Sequence, residues 1–205
     1  MGEEGQALTR CDASSLVMDR LGDRVGGQGA TVAGFYFDYA TQKDQSPVNM
    51  LGAVLKQVVS GLGKLPEEIA RAYEVQKQVI GGRAPQLADI VKMLQNTVSI
   101  KRTFICIDAL DECVAGYRIK ILDSLDQILR SSPGTRMFVT GRPHIEAEVG
   151  KRLSGRGTVI RITPQRHDII NYLHRRLEED ATPDAMDGNL KADILNKISK
   201  DVSEM

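Results

Sequence analysis

The sequence predicts an α/β fold with a parallel sheet that is covered by helices on both faces. Short, continuously apolar runs rich in β-branched and aromatic residues alternate with longer segments of helical periodicity. Parallel strands need a crossover connection, usually a helix, so this alternation favours a parallel sheet. The four predicted strands are Thr31 to Asp38, Thr103 to Asp108, Arg136 to Thr140 and Thr158 to Ile162.

Helices are predicted between the strands and after the last one. Ser46 and Pro47 form a favourable helix start, and apolar residues follow at helical spacing. The other predicted helices lie at 14–21, from about residue 66, at 87–98, at 121–129, at 169–177 and at 190–198, with a linker at 181–188 before the last. The pattern predicts a core domain at 1–163 that is incomplete at its N-terminus. It predicts that residues 164–205 are the beginning of a helical subdomain, which is truncated.

Composition excludes several classes of function. Basic and acidic residues both number 27, so no net field attracts nucleic acid or a membrane surface. The three cysteines lack the number and spacing of a disulfide framework or zinc site. Neither a signal peptide nor a run of about 18 apolar residues is present. We therefore expect a cytoplasmic protein with no nucleic-acid partner and no membrane partner.

The most informative stretch runs from Phe104 to Glu112, where a strand ends in Asp108 and is followed by Asp111 and Glu112. Ligands of open α/β folds bind at the carboxyl edge of the sheet, and a carboxylate there is a hard ligand for Mg²⁺. We expect Asp108 to hold the metal and the two later acids to orient an attacking water. The alternative is that Asp108 only ends a strand while Asp111 and Glu112 cap the next helix.

A second polar strand end follows about 30 residues later, in the segment MFVTGRP at 137–143. It brings Thr140 and Arg142 to the same edge of the sheet, where a guanidinium could bind a terminal phosphate through paired hydrogen bonds. The alternative for Arg142 is a surface arginine before a helix-starting proline. Together with the acidic strand, the segment indicates a nucleotide site.

The chain resembles the NACHT or nephrocystin-like NTPase domain that is common in fungal proteins, from about Ala30 to Met205. The segments that carry the resemblance are FYFDY at 35–39, QSPVNML at 45–51, IDALDEC at 107–113 and VTGRP at 139–143. It implies a three-layer P-loop NTPase-like fold that binds Mg²⁺ with ATP or ADP. The family further implies a switch module of a STAND or NLR-like signalling protein, whose partners are other copies of itself or repeat and effector domains of the parent protein.

The phosphate-binding loop of that family is missing or degenerate. Such a loop needs glycines, a lysine and a hydroxyl residue. The candidate phosphate contacts are Gly2, Gly5, Thr9 and Arg10. Aligned on Gly2 and Thr9, the chain has Ala7 and Leu8 where the second glycine and the lysine are expected. The strand that should precede the loop is also absent, which indicates a truncated chain or an incomplete gene model.

Two functions therefore stay open at this point. In the first, the parent protein is a nucleotide-driven oligomerisation switch that hydrolysis resets slowly. The chain as given is expected to hydrolyse ATP negligibly, because Leu8 supplies no charge to the phosphates. In the second, the module has lost nucleotide chemistry and acts as an interaction scaffold. Whether the chain is an enzyme is left open by the sequence.

Overall fold

The computed structural model describes residues 10–25, 29–67, 69–71, 74, 85–153, 155–162, 166–178 and 188–201. The chain divides into two compact units, one of residues 10–157 and one that includes residues 158–205. The first, the sheet unit, contains α1 (Arg10–Val25), β1 (Ala30–Tyr36), α2 (Pro47–Ser60), α3 (Leu87–Ile100), β2 (Arg102–Asp108), α4 (Ala115–Ser131), β3 (Arg136–Val139) and α5 (Glu146–Arg152). The second contains α6 (Arg166–Glu178) and α7 (Gly188–Asp201).

The sheet of the first unit has the strand order β1-β2-β3, and both pairs are parallel. The central strand β2 places Ile107 between Phe35 of β1 and Val139 of β3. Apolar side chains of one sheet face join α2, α3 and α4 in a common core. On the opposite face α1 packs on β1 and β2, and Met18 lies against Gly34. The predicted α/β fold with a parallel sheet between helices is confirmed.

Local sequence signals account for the helix α2. The Ser46 hydroxyl accepts a hydrogen bond from the Asn49 N–H at 3.2 Å, and Pro47 occupies the first turn, where its missing N–H has no cost. The helix buries its apolar stripe, which consists of Met50, Leu51, Val54, Leu55 and Val58. Helical backbone at 69–71 agrees with the helix predicted from about residue 66, whose remainder lies largely outside the described residues.

Gln57 of α2 protects the outer edge of β1. Its amide oxygen accepts the Gly34 N–H at 2.9 Å, and its amide nitrogen donates to the Gly34 carbonyl at 2.8 Å. The side chain thereby takes the place that a neighbouring strand would occupy, and it satisfies two backbone groups of an edge strand.

The prediction of a fourth strand at Thr158–Ile162 is wrong. Residues 158–162 have no regular secondary structure, and Val159, Ile160 and Ile162 are 61%, 78% and 80% exposed. Among the described residues no strand pairs with this segment. A β-branched run has only a preference for extended backbone, and a strand forms where a hydrogen-bonded neighbour and a covering layer are present.

The helical unit contains α6 and α7, which pack against each other. Both helices cover the segments for which helical periodicity was predicted. Of the predicted linker before α7, residues 181–187 lie outside the described residues, and the predicted domain division after residue 163 stays a prediction. No helix in the described part of the chain is long and apolar enough to cross a membrane.

Candidate functional site

The carboxyl ends of β2 and β3 bring Asp108 and Thr140 into contact. Ile107 pairs with Val139, and the Thr140 N–H continues the ladder by donating to the Ile107 carbonyl at 2.9 Å. The next side chains along both strands are therefore neighbours at the sheet edge. The Thr140 hydroxyl donates to Asp108 Oδ1 at 2.5 Å, and Asp108 is 3% exposed. A buried carboxylate needs such donors to offset its lost hydration.

Ala109, directly after Asp108, has a left-handed backbone with φ 52° and ψ 43°. Among the described residues it alone combines a positive φ with a side chain. Its N–H donates to the Thr140 hydroxyl at 3.0 Å, and the next N–H, of Leu110, donates to the Thr140 carbonyl at 3.0 Å. These bonds stabilise a conformation that costs an L-residue roughly 1–2 kcal/mol. Thr140 thus fixes both the Asp108 carboxylate and the turn at Ala109 and Leu110 that follows it.

Asp111 joins this turn to the loop after β3. Its side chain is 4% exposed. Asp111 Oδ1 accepts the Arg142 N–H at 3.0 Å, and Oδ2 lies 3.3 Å from Arg142 Nε. The preceding residue is a glycine, and a Cβ on Gly141 would lie 2.6 Å from the Cδ1 atom of Ile145. The glycine therefore leaves room for the Ile145 side chain, which lies four residues later in the same loop.

Glu112 joins the same turn to the loop after β1. Its Oε2 atom accepts the Tyr39 N–H at 3.0 Å, and its carbonyl accepts the Gln42 amide at 2.5 Å. The loop is closed further by Asp38, whose carboxylate accepts the Ala40 N–H at 2.9 Å. Asp111 and Glu112, the two residues predicted to orient water, therefore each hold a neighbouring loop.

Arg118 of α4 holds the end of the acidic turn, and the sequence analysis missed it. Its guanidinium donates to the Cys113 carbonyl at 3.0 Å and pairs with Glu148 of α5 at 2.8 Å. Arg118 precedes the buried Ile121 and Leu122 by three and four positions, so it lies on the core face of α4. That spacing is the signal by which it could have been found.

Burial also raises the thiol pKa of two cysteines in this region, Cys113 and Cys106. Burial raises the pKa of the Cys113 thiol to about 11; the nearby Arg118 guanidinium acts in the opposite direction and Glu148 adds to the increase. Burial likewise raises the pKa of Cys106, within β2, to about 11. Both side chains are therefore neutral thiols near neutral pH, which makes them unreactive as nucleophiles.

The predicted phosphate loop falls largely outside the described residues. Gly2, Gly5 and Thr9 belong to that undescribed segment, and Arg10 is the first residue of α1. Their roles as phosphate contacts stay predictions. The structure brings together Asp108, Thr140, Asp111 and Arg142, at the ends of two adjacent strands.

The role of Asp108 as a metal ligand stays a prediction, and the residues around it limit which metal it could hold. In the part of the chain that the structure describes, no three His, Cys, Asp or Glu side chains converge to enclose a metal ion. Mg²⁺ keeps several waters and is held by one or two carboxylates together with substrate phosphates, so it needs no such cluster. A carboxylate like that of Asp108 therefore fits Mg²⁺ bound with a nucleotide.

A family model matches the part of the chain that contains this edge of the sheet. The family described as nephrocystin 3, N-terminal, matches residues 13–142, which is more than half of the chain and includes β1, β2, β3 and Arg142. The matched region contains the whole edge at which Asp108, Thr140 and Asp111 meet. Comparison with curated proteins finds no match.

Proposed function

The chain belongs to the nephrocystin 3 N-terminal family, and on that premise we propose that it is the nucleotide-binding module of a NACHT-like signalling switch. The ligand is ATP or ADP with Mg²⁺, and the parent protein is of the STAND or NLR-like class and works in the cytoplasm. Exchange of ADP for ATP would change the assembly of the parent protein. Hydrolysis by this chain is slow or absent.

The observation that carries the proposal is the convergence of an acid and an arginine at the carboxyl edge of adjacent parallel strands. Asp108 ends β2, and Arg142 follows β3 two residues after Thr140. In open α/β folds this edge is where ligands bind. An acid that suits Mg²⁺ and a guanidinium that suits phosphate oxygens are complementary to the two charged parts of a magnesium nucleotide.

Each residue has a definite part in the proposed site. The carboxylate of Asp108 would hold Mg²⁺, and the Thr140 hydroxyl keeps that carboxylate in place through its hydrogen bond. Bound Mg²⁺ would neutralise charge on the phosphates. Arg142, whose side chain is 63% exposed, would bind the terminal phosphate. Asp111 and Glu112 hold the loops around the phosphate position, and Glu112 could also orient a water for hydrolysis.

The second candidate function is an interaction scaffold without nucleotide chemistry. It is favoured by Ala7 and Leu8, which stand where a phosphate loop needs glycine and lysine. A lost charge-assisted contact to a polyphosphate costs about 1.5–3 kcal/mol in binding, so this loop should bind nucleotide weakly. The two functions differ in one observable, Mg²⁺-dependent affinity for ATP and ADP.

The test is a calorimetric titration of the whole chain with ATP and with ADP, in Mg²⁺ and in EDTA. The nucleotide function predicts binding in Mg²⁺ that Asp108→Asn weakens by about tenfold or more, because one charged metal ligand is lost. Asp123→Asn is the matched control, since it removes the Asp123–Arg152 ion pair between α4 and α5, outside the site. It should leave the affinity unchanged.

Two outcomes would reject the nucleotide function. The first is no saturable binding at millimolar nucleotide, and the second is equal binding by the wild-type chain and by Asp108→Asn; both would leave the scaffold function. Phosphate release is measured in parallel. Release above the buffer blank that depends on Asp108 would contradict the expectation that this chain does not turn over.

A further inference from the structure

Among the described residues, the Asp111 carboxylate makes its polar contacts with one residue, Arg142. The Asp111 side chain is 4% exposed, so its charge must be satisfied inside the protein. Both of its oxygens contact Arg142, Oδ1 through the backbone N–H at 3.0 Å and Oδ2 through Nε at 3.3 Å. A residue that binds the main chain and the side chain of one arginine restricts both the position and the direction of that arginine.

Arg142 is restrained at one end and exposed at the other. The guanidinium is a rigid planar fork with five N–H donors, so a contact at Nε sets the plane of the whole group. The side chain is 63% exposed although its backbone is held to the buried Asp111. The contact at Nε therefore leaves the terminal nitrogens as the donors presented to solvent.

The surrounding chain makes this contact rigid. Asp111 lies in the 3₁₀ turn Leu110–Glu112, which is anchored by the fully buried Leu110. Arg142 lies before the 3₁₀ turn Pro143–Ile145, whose Ile145 is 3% exposed. Each partner is thus attached to a buried apolar residue, and the lack of a side chain at Gly141 leaves room for Ile145.

We infer that Asp111 is a positioning residue that orients Arg142 to receive the terminal phosphate of a bound nucleotide. This inference rests on the proposed function and adds the residue that makes the site distinguish a triphosphate from a diphosphate. Paired N–H donors of a guanidinium match two oxygens of one phosphate. A pre-oriented arginine loses less side-chain entropy on binding than a free one, so the contact favours ATP over ADP.

The partners of Asp111 separate this role from that of a general base. A base that takes a proton from water must be within hydrogen-bonding reach of that water. Oδ1 of Asp111 already accepts the Arg142 N–H, and Oδ2 is already paired with the Arg142 guanidinium. A positioning role predicts a change in ligand preference when Asp111 is altered, whereas a base predicts a change in turnover alone.

The first measurement needs no nucleotide. Solvent exchange of the Arg142 Nε–H is followed by nitrogen NMR of the 22.5 kDa chain, with Arg142→Lys used to assign the signal. Asp111→Asn keeps an oxygen for the Arg142 backbone N–H but removes the charge opposite Nε. We expect exchange of the Nε–H to become about tenfold faster in Asp111→Asn, because the carboxylate charge that pairs with the guanidinium at Nε is lost. Asp123→Asn should not change it.

The second measurement is a titration of each chain with MgATP and with MgADP, followed by the same Arg142 signal where it is present and by calorimetry. Asp111→Asn should weaken ATP binding by about tenfold and ADP binding by less than about twofold. Arg142→Lys keeps the positive charge but lacks the paired N–H donors of a guanidinium. It should lower the preference for ATP over ADP by a similar factor. The variant that carries both substitutions should bind ATP no more weakly than Arg142→Lys alone, since the two residues act as one unit.

The outcomes are distinguishable. An unchanged Nε–H exchange rate in Asp111→Asn overturns the inference, and so does an equal loss of ATP and ADP affinity. An Arg142→Lys chain that still prefers ATP also overturns it, even if Asp111→Asn fails to fold. If the wild-type chain binds neither nucleotide, the proposed function fails and the phosphate role fails with it, while the exchange rate still decides whether Asp111 orients Arg142.

Discussion

Removal of the Thr140 hydroxyl is a direct test of the hydrogen bonds at the carboxyl edge of the sheet. Thr140→Val removes that hydroxyl and conserves the shape of the side chain. The change takes a donor from the Asp108 carboxylate, which is 3% exposed, and an acceptor from the Ala109 N–H. Both bonds lie at the junction of β2 and β3, so we expect the loss to appear as reduced stability of the sheet unit.

The magnitude follows from the two groups that lose their partner. A hydrogen bond to a charged group contributes about 1.5–3 kcal/mol, and a buried N–H without an acceptor costs about 1–3 kcal/mol. The two losses share one hydroxyl and are not fully additive. We therefore expect Thr140→Val to lower the free energy of unfolding by about 3 kcal/mol.

A matched control is available in α3. Thr97 is 1% exposed, and its hydroxyl donates to the Met93 carbonyl within the same helix at 2.6 Å. That carbonyl also accepts a backbone bond of the helix, so Thr97→Val leaves no group without a partner and should cost less than about 1 kcal/mol. Thr140→Ser keeps the hydroxyl and should recover most of the loss at residue 140.

Urea denaturation followed by circular dichroism measures these differences, because the chain contains no tryptophan for fluorescence. The reasoning is refuted if Thr140→Val and Thr97→Val differ by less than about 0.5 kcal/mol, which is the ordinary range for neutral substitutions. It is also refuted if Thr140→Ser is as unstable as Thr140→Val, since the effect would then come from the shape of the side chain.

Three further predictions concern the sheet unit. Ala109→Gly should raise the free energy of unfolding by up to about 1 kcal/mol in the same urea assay, because glycine adopts φ 52° without strain; a lower stability would contradict the strain. Gln57→Met should lower it by about 1–3 kcal/mol, since both backbone groups of Gly34 lose a partner, and a neutral result would show that water replaces the amide. Burial raises the pKa of Cys106 and Cys113 from 9.0 to about 11. Their neutral thiols therefore stabilise the fold fully below pH 9, and this contribution is lost as the pH rises through 11. Replacement of both by alanine should flatten the loss of stability between pH 9 and 11, and an equally steep loss would contradict it.

Local patterns in the sequence were sufficient for the three paired strands and for α2. The runs that became β1, β2 and β3 are mostly apolar and rich in β-branched or aromatic residues, which favours extended backbone. The start of α2 depends on Ser46 and Pro47, which act within one turn of the helix. That Asp108 and Thr140 lie at the same edge also follows from the sequence, because parallel strands end at the same edge of a sheet; the hydrogen bond between them did not.

Pairing and long-range contact required the tertiary structure. The segment at 158–162 has the composition of a strand but no strand partner among the described residues, and composition cannot supply a partner. Asp111 was predicted to orient water because it follows Asp108, the predicted metal ligand; the fold places both oxygens of Asp111 against Arg142, which is 31 residues away. A carboxylate has the same sequence signature in either role. Only the burial of its side chain and the identity of the atoms around it decide whether it holds a neighbour or acts on a ligand.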